Sequence, residues 1–288
     1  KDFKKVQDDE QAARDEVDGW IRQNNAFGES GAAIPAEELN RRIRKRFDSI
    51  KKEYQDFIAK YPKHAEARLY YGRFLGDLGD EDGQLEQLEK SRELDPSDAD
   101  AWNDLANFYG HNSPVKKAFE YYAKAISLNP KEPIYYQNFA TTVYLFRKDA
   151  KEYYHINEQQ VFDKALALYA DALKLDPTNF LLATDLAQSY YGIKPTRTED
   201  ALRAWTNALN IATTEVEREG VYLHLARFKL NSGRFAGAQM HLNAVTNEIY
   251  KTLKERLLRN LNERESETNR AAAFSSTNTA NAKTAEEK

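Results

Sequence analysis

Residues 99–132 read ADAWNDLANFYGHNSPVKKAFEYYAKAISLNPKE, and the spacing of the apolar residues in this stretch guides the interpretation of the whole chain. In its first half, large and small apolar residues recur at the period of an α-helix: Trp102, Leu105, Ala106 and Tyr109. After a break at Gly110–Pro114, a second set recurs at the same period: Ala118, Tyr122 and Ala125. The stretch therefore predicts two helices joined by a turn, the second ending at Asn129–Pro130.

The same spacing continues on both sides of this stretch. Prolines recur at intervals of 34 residues, each after the end of a predicted second helix: Pro62, Pro96 and Pro130. Small residues recur at the same interval, each where two helices would cross: Gly72, Ala106 and Ala140. Because proline cannot continue a helix and small side chains let helices approach closely, both series predict a repeated helix pair.

A Trp, a Leu–small pair and a Tyr, followed by Ala, an aromatic residue, Ala and Pro on a 34-residue frame, resemble a tetratricopeptide repeat. This resemblance implies an all-α fold, a right-handed superhelix of stacked antiparallel helix pairs (an α-solenoid), in which each repeat packs on its neighbours. The chain is most similar to bacterial tetratricopeptide-repeat proteins, many of which are exported. The resemblance indicates an architecture better than an activity.

The repeat frame divides the chain into a cap, repeats and a tail. The predicted segments are a capping helical pair in 1–64, repeats in 65–98, 99–132, 133–179, 180–218 and 219–248, a capping helix in 249–262 and a disordered tail in 263–288. The third repeat is long because Pro177 follows Pro130 by 47 residues, which leaves 13 extra residues. Within the cap, the composition of Asn24–Pro35 predicts a loop. The tail is predicted to be disordered because it has one large apolar residue, Phe274.

Several classes of function lack their required residues. The chain has no cysteine, its five histidines form no zinc-binding helix motif, and no phosphate-binding or dinucleotide-binding glycine motif appears. We therefore expect no catalytic residue, no cofactor and no metal. The net charge of −4 argues against a nucleic-acid partner, and no apolar run is long enough to cross a membrane. Residue 1 is Lys, which fits a removed signal peptide or a shortened chain, and we expect a periplasmic or secreted location, with the cytoplasm as the alternative.

The inner surface of the repeats is the predicted binding site. On the repeat frame, the residues just after the core positions of the first helices face inward and form a partner-binding groove: Arg73, Asn103, Asn107, Gln137, Thr141, Tyr144, Gln188, Tyr191 and Arg227. Amide side chains pair with a peptide backbone, and aromatic rings add contact area. Asn103, Asn107 and Gln137 lie outside the predicted core, so their replacement should leave the fold intact. An inner face whose polar residues only keep it soluble is the alternative.

Two further surfaces are candidates for binding. The insertion at 147–160 contains Tyr153, Tyr154 and His155, which form either a recognition finger or the edge of an extended helical hairpin. The basic run Arg41–Arg46 is either a site for an acidic partner or a solvated helix face.

The most favoured function is a scaffold that binds a peptide or segment of another protein in the groove. Two alternatives stay open. One is a structural subunit of a larger assembly or a self-associating solenoid, and the other is an enzyme with a site at 147–160.

Overall fold

The computed structural model describes residues 2–29 and 33–286, with side chains described for all of these except residue 29 and residues 272–286. Within these ranges the chain is helical and contains no strand, which confirms the all-α prediction. In the first half the helices are α1 (Asp2–Glu29), α2 (Ala36–Lys60), α3 (Ala65–Asp77), α4 (Glu81–Leu94), α5 (Ala99–His111) and α6 (Val115–Leu128). In the second half they are α7 (Pro133–Leu145), α8 (Arg147–Tyr154), α9 (Glu158–Leu175), α10 (Phe180–Ser189), α11 (Thr198–Ile211), α12 (Glu215–Asn231), α13 (Phe235–Asn243) and α14 (Lys251–Glu286), with a 3-10 turn at Glu248–Tyr250.

The chain divides into two compact units, Lys1–Lys131 and Glu132–Lys288. In the first unit α3 pairs with α4 and α5 pairs with α6. In the second unit α7 pairs with α9, α10 with α11, and α12 with α13. Four of these pairs lie within the predicted repeats. The fifth begins earlier than the sequence frame predicts, because Thr214 caps α12 and moves its first residue to Glu215.

Small residues allow the helix pairs to pack closely, as the 34-residue spacing predicts. A Cβ added at Gly72 would lie 3.0 Å from the Leu88 side chain, so α3 and α4 touch where glycine removes the side chain. Ala106 has no exposed surface in the equivalent position of the next pair. In the second unit Ala140 is also fully buried. A larger residue at any of these positions would force the two helices apart.

Arg68 and Trp102 occupy equivalent positions in successive repeats, and each side chain donates a hydrogen bond to the carbonyl oxygen of a proline. The Trp102 indole Nε1 donates a 2.9 Å hydrogen bond to the carbonyl oxygen of Pro96. The Arg68 guanidinium donates to the carbonyl of Pro62, through Nε at 3.3 Å and Nη2 at 3.2 Å. Both contacts tie the start of a first helix to the proline that ends the preceding segment. The tryptophan of the repeat pattern is therefore replaced without loss of this contact.

The N-terminal helices cover the first repeat, which is the role predicted for a cap. Phe3 and Tyr54 belong to one buried cluster with residues of α3, and the Tyr54 ring stacks on Tyr71 at 5.1 Å. Helix α1 continues to Glu29, so the loop predicted over 24–35 is shorter than expected. The Asn24 amide bonds to the backbone of Ile34, while residues 30–32 of that predicted loop lie outside the described residues.

The C-terminal segment differs from the predicted disorder. Helix α14 continues through residues 263–286, and the described side chains from 262 to 271 are exposed. No glycine or proline interrupts 251–286, and alanine, glutamate and arginine are good helix formers. Low apolar content is consistent with the exposure of side chains 263–271, and helix propensity accounts for the backbone. Residues 287–288 of the predicted tail lie outside the described residues.

Candidate functional site

The predicted groove residues of the first unit are engaged by their own chain. The Arg73 guanidinium bonds to the carboxylate of Asp104, whose pKa is raised by burial despite the nearby cation. Asn107 accepts a hydrogen bond from the Tyr122 hydroxyl at 2.7 Å. Asn103 is only 5% exposed, so the expectation that it lies outside the core is wrong. Helix α5 packs against both α4 and α6. These two neighbours cover a wider face of α5 than the single stripe of apolar residues in its sequence predicts.

Gln137 and Thr141 hold α7 against its neighbours in the second unit. The Gln137 amide donates to the Asp185 carboxylate at 2.7 Å. The Thr141 hydroxyl lies 2.7 Å from the Tyr169 hydroxyl and also donates to its own helix backbone. The side chain of Tyr144, the third predicted groove residue here, is half-buried. The structure therefore gives Gln137 and Thr141 packing partners, and a role in binding stays a prediction.

The insertion of the third repeat forms helix α8 and a sharp turn, which corresponds to the helical-hairpin alternative. The turn is at His155, an exposed residue with a left-handed φ of 54°. Tyr153 and Tyr154 are half-buried, and their rings meet edge to face at 4.7 Å. Lys164 Nζ lies 4.2 Å from the centre of the Tyr154 ring. These contacts fix the two tyrosines, and their role in recognition remains a prediction.

The basic run Arg41–Arg46 makes several contacts with its own cap. The Arg42 guanidinium lies 3.9 Å over the Trp20 ring, and Arg46 Nε donates to Glu16 at 2.9 Å. Cation–π contacts and ion pairs of this kind hold a helix face in place. These residues therefore contribute to the association of α1 with α2, and an acidic partner at this face stays a prediction.

The remaining predicted groove residues, Gln188, Tyr191 and Arg227, lie at or beside a pocket of the second unit. The pocket has a volume of about 210 Å³ and is formed by α10, α11, α12 and the 3-10 turn. It is lined by four rings together with polar groups: Phe180, Trp205, His224, Tyr250, Gln188 and Glu217. We call it the Trp205 pocket. A few polar groups among apolar walls are typical of ligand sites.

A buried carboxylate positions the wall of the Trp205 pocket that carries Tyr250. Glu219 is 1% exposed and accepts hydrogen bonds from Thr246 N at 3.0 Å, Thr246 Oγ1 at 2.9 Å and Asn247 N at 2.7 Å. Burial raises the pKa of Glu219, but these donors outweigh it and the pKa is lowered. Gly220 leaves space for the ring, since a Cβ there would lie 2.9 Å from the Tyr250 hydroxyl oxygen.

Trp205 and His224 form a stacked pair in the pocket lining. Their ring centroids are 4.0 Å apart and their planes differ by 5°. Trp205 is 1% exposed, and its indole Nε1–H has no hydrogen-bond acceptor among the described residues. An indole N–H can only donate, and a buried donor without an acceptor is costly. A ligand acceptor placed against this group would remove that cost.

Burial and a nearby cation set the protonation state of His224. The Tyr191 hydroxyl lies 2.8 Å from His224 Nδ1, and the Arg227 guanidinium lies 5.3 Å from the centre of the Tyr191 ring. Burial, and then the Arg227 charge, lower the pKa of His224 to about 4, so its imidazole is neutral at pH 7.

The Trp205 pocket occupies a position that the two preceding repeats close with a hydrogen bond. In those repeats the second-helix tyrosine bonds to the polar residue after the small residue of the first helix: Tyr122 with Asn107, and Tyr169 with Thr141. The equivalent pair in the fourth repeat is Trp205 with Gln188. The separations are 15, 28 and 17 residues, which agree once the 13 and 2 inserted residues are subtracted. No such bond joins Trp205 to Gln188, whose exposed side chain has no partner among the described residues.

Exposed apolar side chains lie in the segments that border the pocket. Leu181 follows Phe180 at the start of α10 and is 72% exposed, and Ile249 precedes Tyr250 and is 67% exposed. Val216, which lines the pocket, is 41% exposed. Of the three, Val216 is in the pocket lining, and Leu181 and Ile249 are sequence neighbours of lining residues.

Sequence reasoning found Gln188 and missed the two rings beside it. Trp205 matches the aromatic position of the second helix in the repeat pattern, where a ring packs in the core. His224 belongs to no sequence motif. The available signal was the replacement of tyrosine by tryptophan at a position where the neighbouring repeats use a hydroxyl.

Among the described residues, His, Asp and Glu form no group that could hold a metal ion, and no helix is long and apolar enough to cross a membrane.

The fold and the pocket define a helix-pair repeat protein with a candidate binding site for a small part of a ligand. Residues 99–132 match the tetratricopeptide repeat family model. Over 125 residues the chain is 30% identical to the photosystem I assembly protein Ycf3 of Prochlorococcus marinus strain MIT 9211. The aligned region covers 41% of this chain and 72% of that protein. The chain belongs to the tetratricopeptide repeat family.

Solved structures share this fold at low sequence identity. The structure of PilW, described as a widely conserved type IV pilus biogenesis factor, has a TM-score of 0.56 at 16% identity and covers 77% of this chain and 94% of that one. The structure of YrrB, described as a TPR protein with an unusual peptide-binding site, has a TM-score of 0.52 at 14% identity. The match covers 72% of this chain and 97% of that one. At these identities the likeness concerns the fold alone.

Proposed function

We propose that this protein is a non-catalytic scaffold that binds a segment of another protein at the Trp205 pocket. The observation that carries the proposal is the pair formed by Trp205 and Gln188. Both side chains have hydrogen-bonding groups without partners, at the position where the two preceding repeats are closed by an internal bond. Buried polar groups are normally satisfied, so an unsatisfied donor in a pocket lining favours a ligand that satisfies it.

The comparison with a relative supports this class of function. The Prochlorococcus marinus relative, 30% identical over 125 residues, is described as an assembly protein. Tetratricopeptide repeats present first-helix side chains to their ligands as a preformed surface, which lowers the entropic cost of binding. A preformed pocket on such a surface is better suited to binding a segment of a partner protein than to catalysing a reaction.

A capture experiment with matched variants tests the proposal. Gln188→Arg places a long charged side chain at the mouth of the pocket, and Asn207→Arg makes the same change on an exposed position of α11 that does not line it. Both positions are exposed, so neither change should disturb the core. From an extract of the native source, the wild type and Asn207→Arg should capture the same partner, and Gln188→Arg should not. Equal capture by all three proteins would place the binding surface elsewhere.

A structural subunit is the second candidate, and helix α14 favours it. The side chains from 262 to 271 are exposed along a helix that continues to Glu286, well beyond the last buried residue, Leu261. A long exposed helix of this kind is stable in solution mainly when it packs on something. Sedimentation of the full chain and of a chain ending at residue 263 distinguishes the two cases. Loss of an oligomer on truncation would support self-association.

A further inference from the structure

The Trp205 pocket also indicates what kind of segment it binds. We infer that it takes a stretch of polypeptide without acidic residues, with one large apolar side chain in the pocket and a backbone carbonyl that accepts from the Trp205 indole N–H. This inference rests on the proposed function, and it deepens it by naming the chemistry of the ligand. Three properties of the site carry it: its donors, the absence of a cation from its described lining, and its size and apolar walls.

The site offers donors to its ligand. The Trp205 indole N–H is buried without an acceptor among the described residues, and its ring lies in the pocket lining against His224. Gln188 adds an amide that both donates and accepts. An acceptor-rich group is therefore complementary to the site. A backbone carbonyl, which has two lone pairs, is the commonest such group on a partner protein.

Among the described residues, the lining has no cation with which to bind an acidic ligand. Its carboxylate, Glu217, accepts hydrogen bonds from Thr213 N and Thr214 N through Oε2 in capping α12, and its negative charge disfavours an acidic ligand. The Arg227 guanidinium is exposed, lies over the Tyr191 ring and is not part of the lining. His224 is neutral at pH 7. A carboxylate or phosphate would lose its hydration here without gaining a cation in the lining, which is unfavourable.

The size and rim of the pocket favour an apolar anchor. A volume of about 210 Å³ matches one large side chain rather than a whole peptide. Val216 lines the pocket and is 41% exposed, so the stretch beside the anchor would also meet apolar surface. Burial of leucine, phenylalanine or a similar residue supplies the affinity, and the carbonyl bond fixes its register.

A peptide array followed by nuclear magnetic resonance tests the inference. The array carries random N-acetylated peptides tethered through their C termini, so that neither terminal charge is presented. Peptides that bind should share one large apolar residue and carry no net acidic charge. The best of them is then titrated into the ¹⁵N-labelled full chain, which has only three tryptophans and hence three indole signals. The Trp205 indole proton should move downfield as it gains an acceptor. Trp102, already bonded to Pro96, is the internal control and should not move.

Matched variants give a second readout. Trp205→Phe keeps a ring but removes the N–H, and it should weaken peptide binding about three- to tenfold, the effect of one hydrogen bond. Trp102→Phe removes an indole N–H in the first unit and should leave the affinity unchanged. If Trp205→Phe does not fold, Gln188→Ala replaces it, because that side chain is exposed and holds no other residue.

The possible failures are distinguishable. Selection of acidic peptides whose binding is abolished by salt, with the Trp205 signal unmoved, would overturn the inference and leave the proposed scaffold function in place. If no peptide binds while Gln188→Arg still loses its native partner, the ligand is not an extended segment and the inference fails alone. If no peptide binds and Gln188→Arg retains the partner, both the inference and the proposed function fail.

Discussion

Acidification from pH 7 to pH 5 should destabilise the second unit, because the folded protein keeps His224 neutral while the unfolded chain takes up a proton at this residue. An ordinary histidine titrates near pH 6.5, whereas burial and the Arg227 charge lower the pKa of His224 to about 4. Between these values the unfolded state binds more protons than the folded state. The free energy of unfolding therefore rises with pH across this window and falls as the solution is acidified.

The magnitude follows from the two pKa values. The full difference corresponds to about 3 kcal/mol, at 1.36 kcal/mol per pKa unit, and it is complete only below pH 4. At pH 5, where the unfolded histidine is almost fully protonated and the folded one is mostly neutral, the loss is about 2 kcal/mol. Above pH 6.5 the group has almost no effect on the pH dependence.

His224→Phe is the matched control, because phenylalanine keeps a ring against Trp205 but cannot titrate. Urea denaturation of both proteins, followed by circular dichroism at pH 7 and pH 5, gives the loss of stability for each. The wild type should lose about 2 kcal/mol more than the variant. The pKa of His241 is also lowered, by burial and by Lys229, and it contributes equally in both proteins. An equal loss in wild type and variant would show that His224 is not held neutral by the fold.

Three further outcomes are expected. Ala106→Leu should lower the free energy of unfolding by about 1–3 kcal/mol, because the added atoms have no space where α5 meets its partner, whereas Ala271→Leu on the exposed part of α14 should change it by less than about 0.5 kcal/mol. Equal melting temperatures for these two variants would contradict the repeat frame. Gly220→Ala should displace the Tyr250 ring from the pocket wall and weaken peptide binding while the circular dichroism spectrum stays helical; unchanged affinity would show that this wall does not touch the ligand. Limited proteolysis should cut first within 263–286, since these residues lie beyond the packed core; a first cut between α3 and α9 would be inconsistent with this arrangement.

The sequence was most informative where one residue type satisfies one steric requirement. Gly72, Ala106 and Ala140 lie where only a small side chain fits, and their spacing of 34 residues is readable without coordinates. The frame also predicts that Gln188, which directly follows the small residue Ala187, faces inward, and its side chain lies in the lining of the Trp205 pocket. A role for Gln188 in binding stays a prediction. Repeat architecture was predictable because each pair obeys the same local rules.

The remaining features depend on contacts that no periodicity encodes. Asn103 is buried because α5 is covered on more than one side, and this depends on neighbouring helices rather than on its own pattern. The Trp205 pocket depends on a hydrogen bond that is absent, whereas Tyr122 and Tyr169 make the equivalent bond. Residues 263–286 have a composition that cannot form a core, and composition alone does not distinguish an exposed helix from a disordered chain.

Site-specific photo-crosslinking tests the central claim most directly. A photoreactive phenylalanine analogue is introduced at position 188, at the pocket, and separately at position 207, on the exposed face of α11, and each protein is irradiated in the native extract. Mass spectrometry then identifies the attached segment. The account predicts that one partner protein is cross-linked from position 188 and not from position 207, and that the attached segment contains a large apolar residue in a stretch without acidic residues. Cross-linking of that partner from position 207 alone would contradict it.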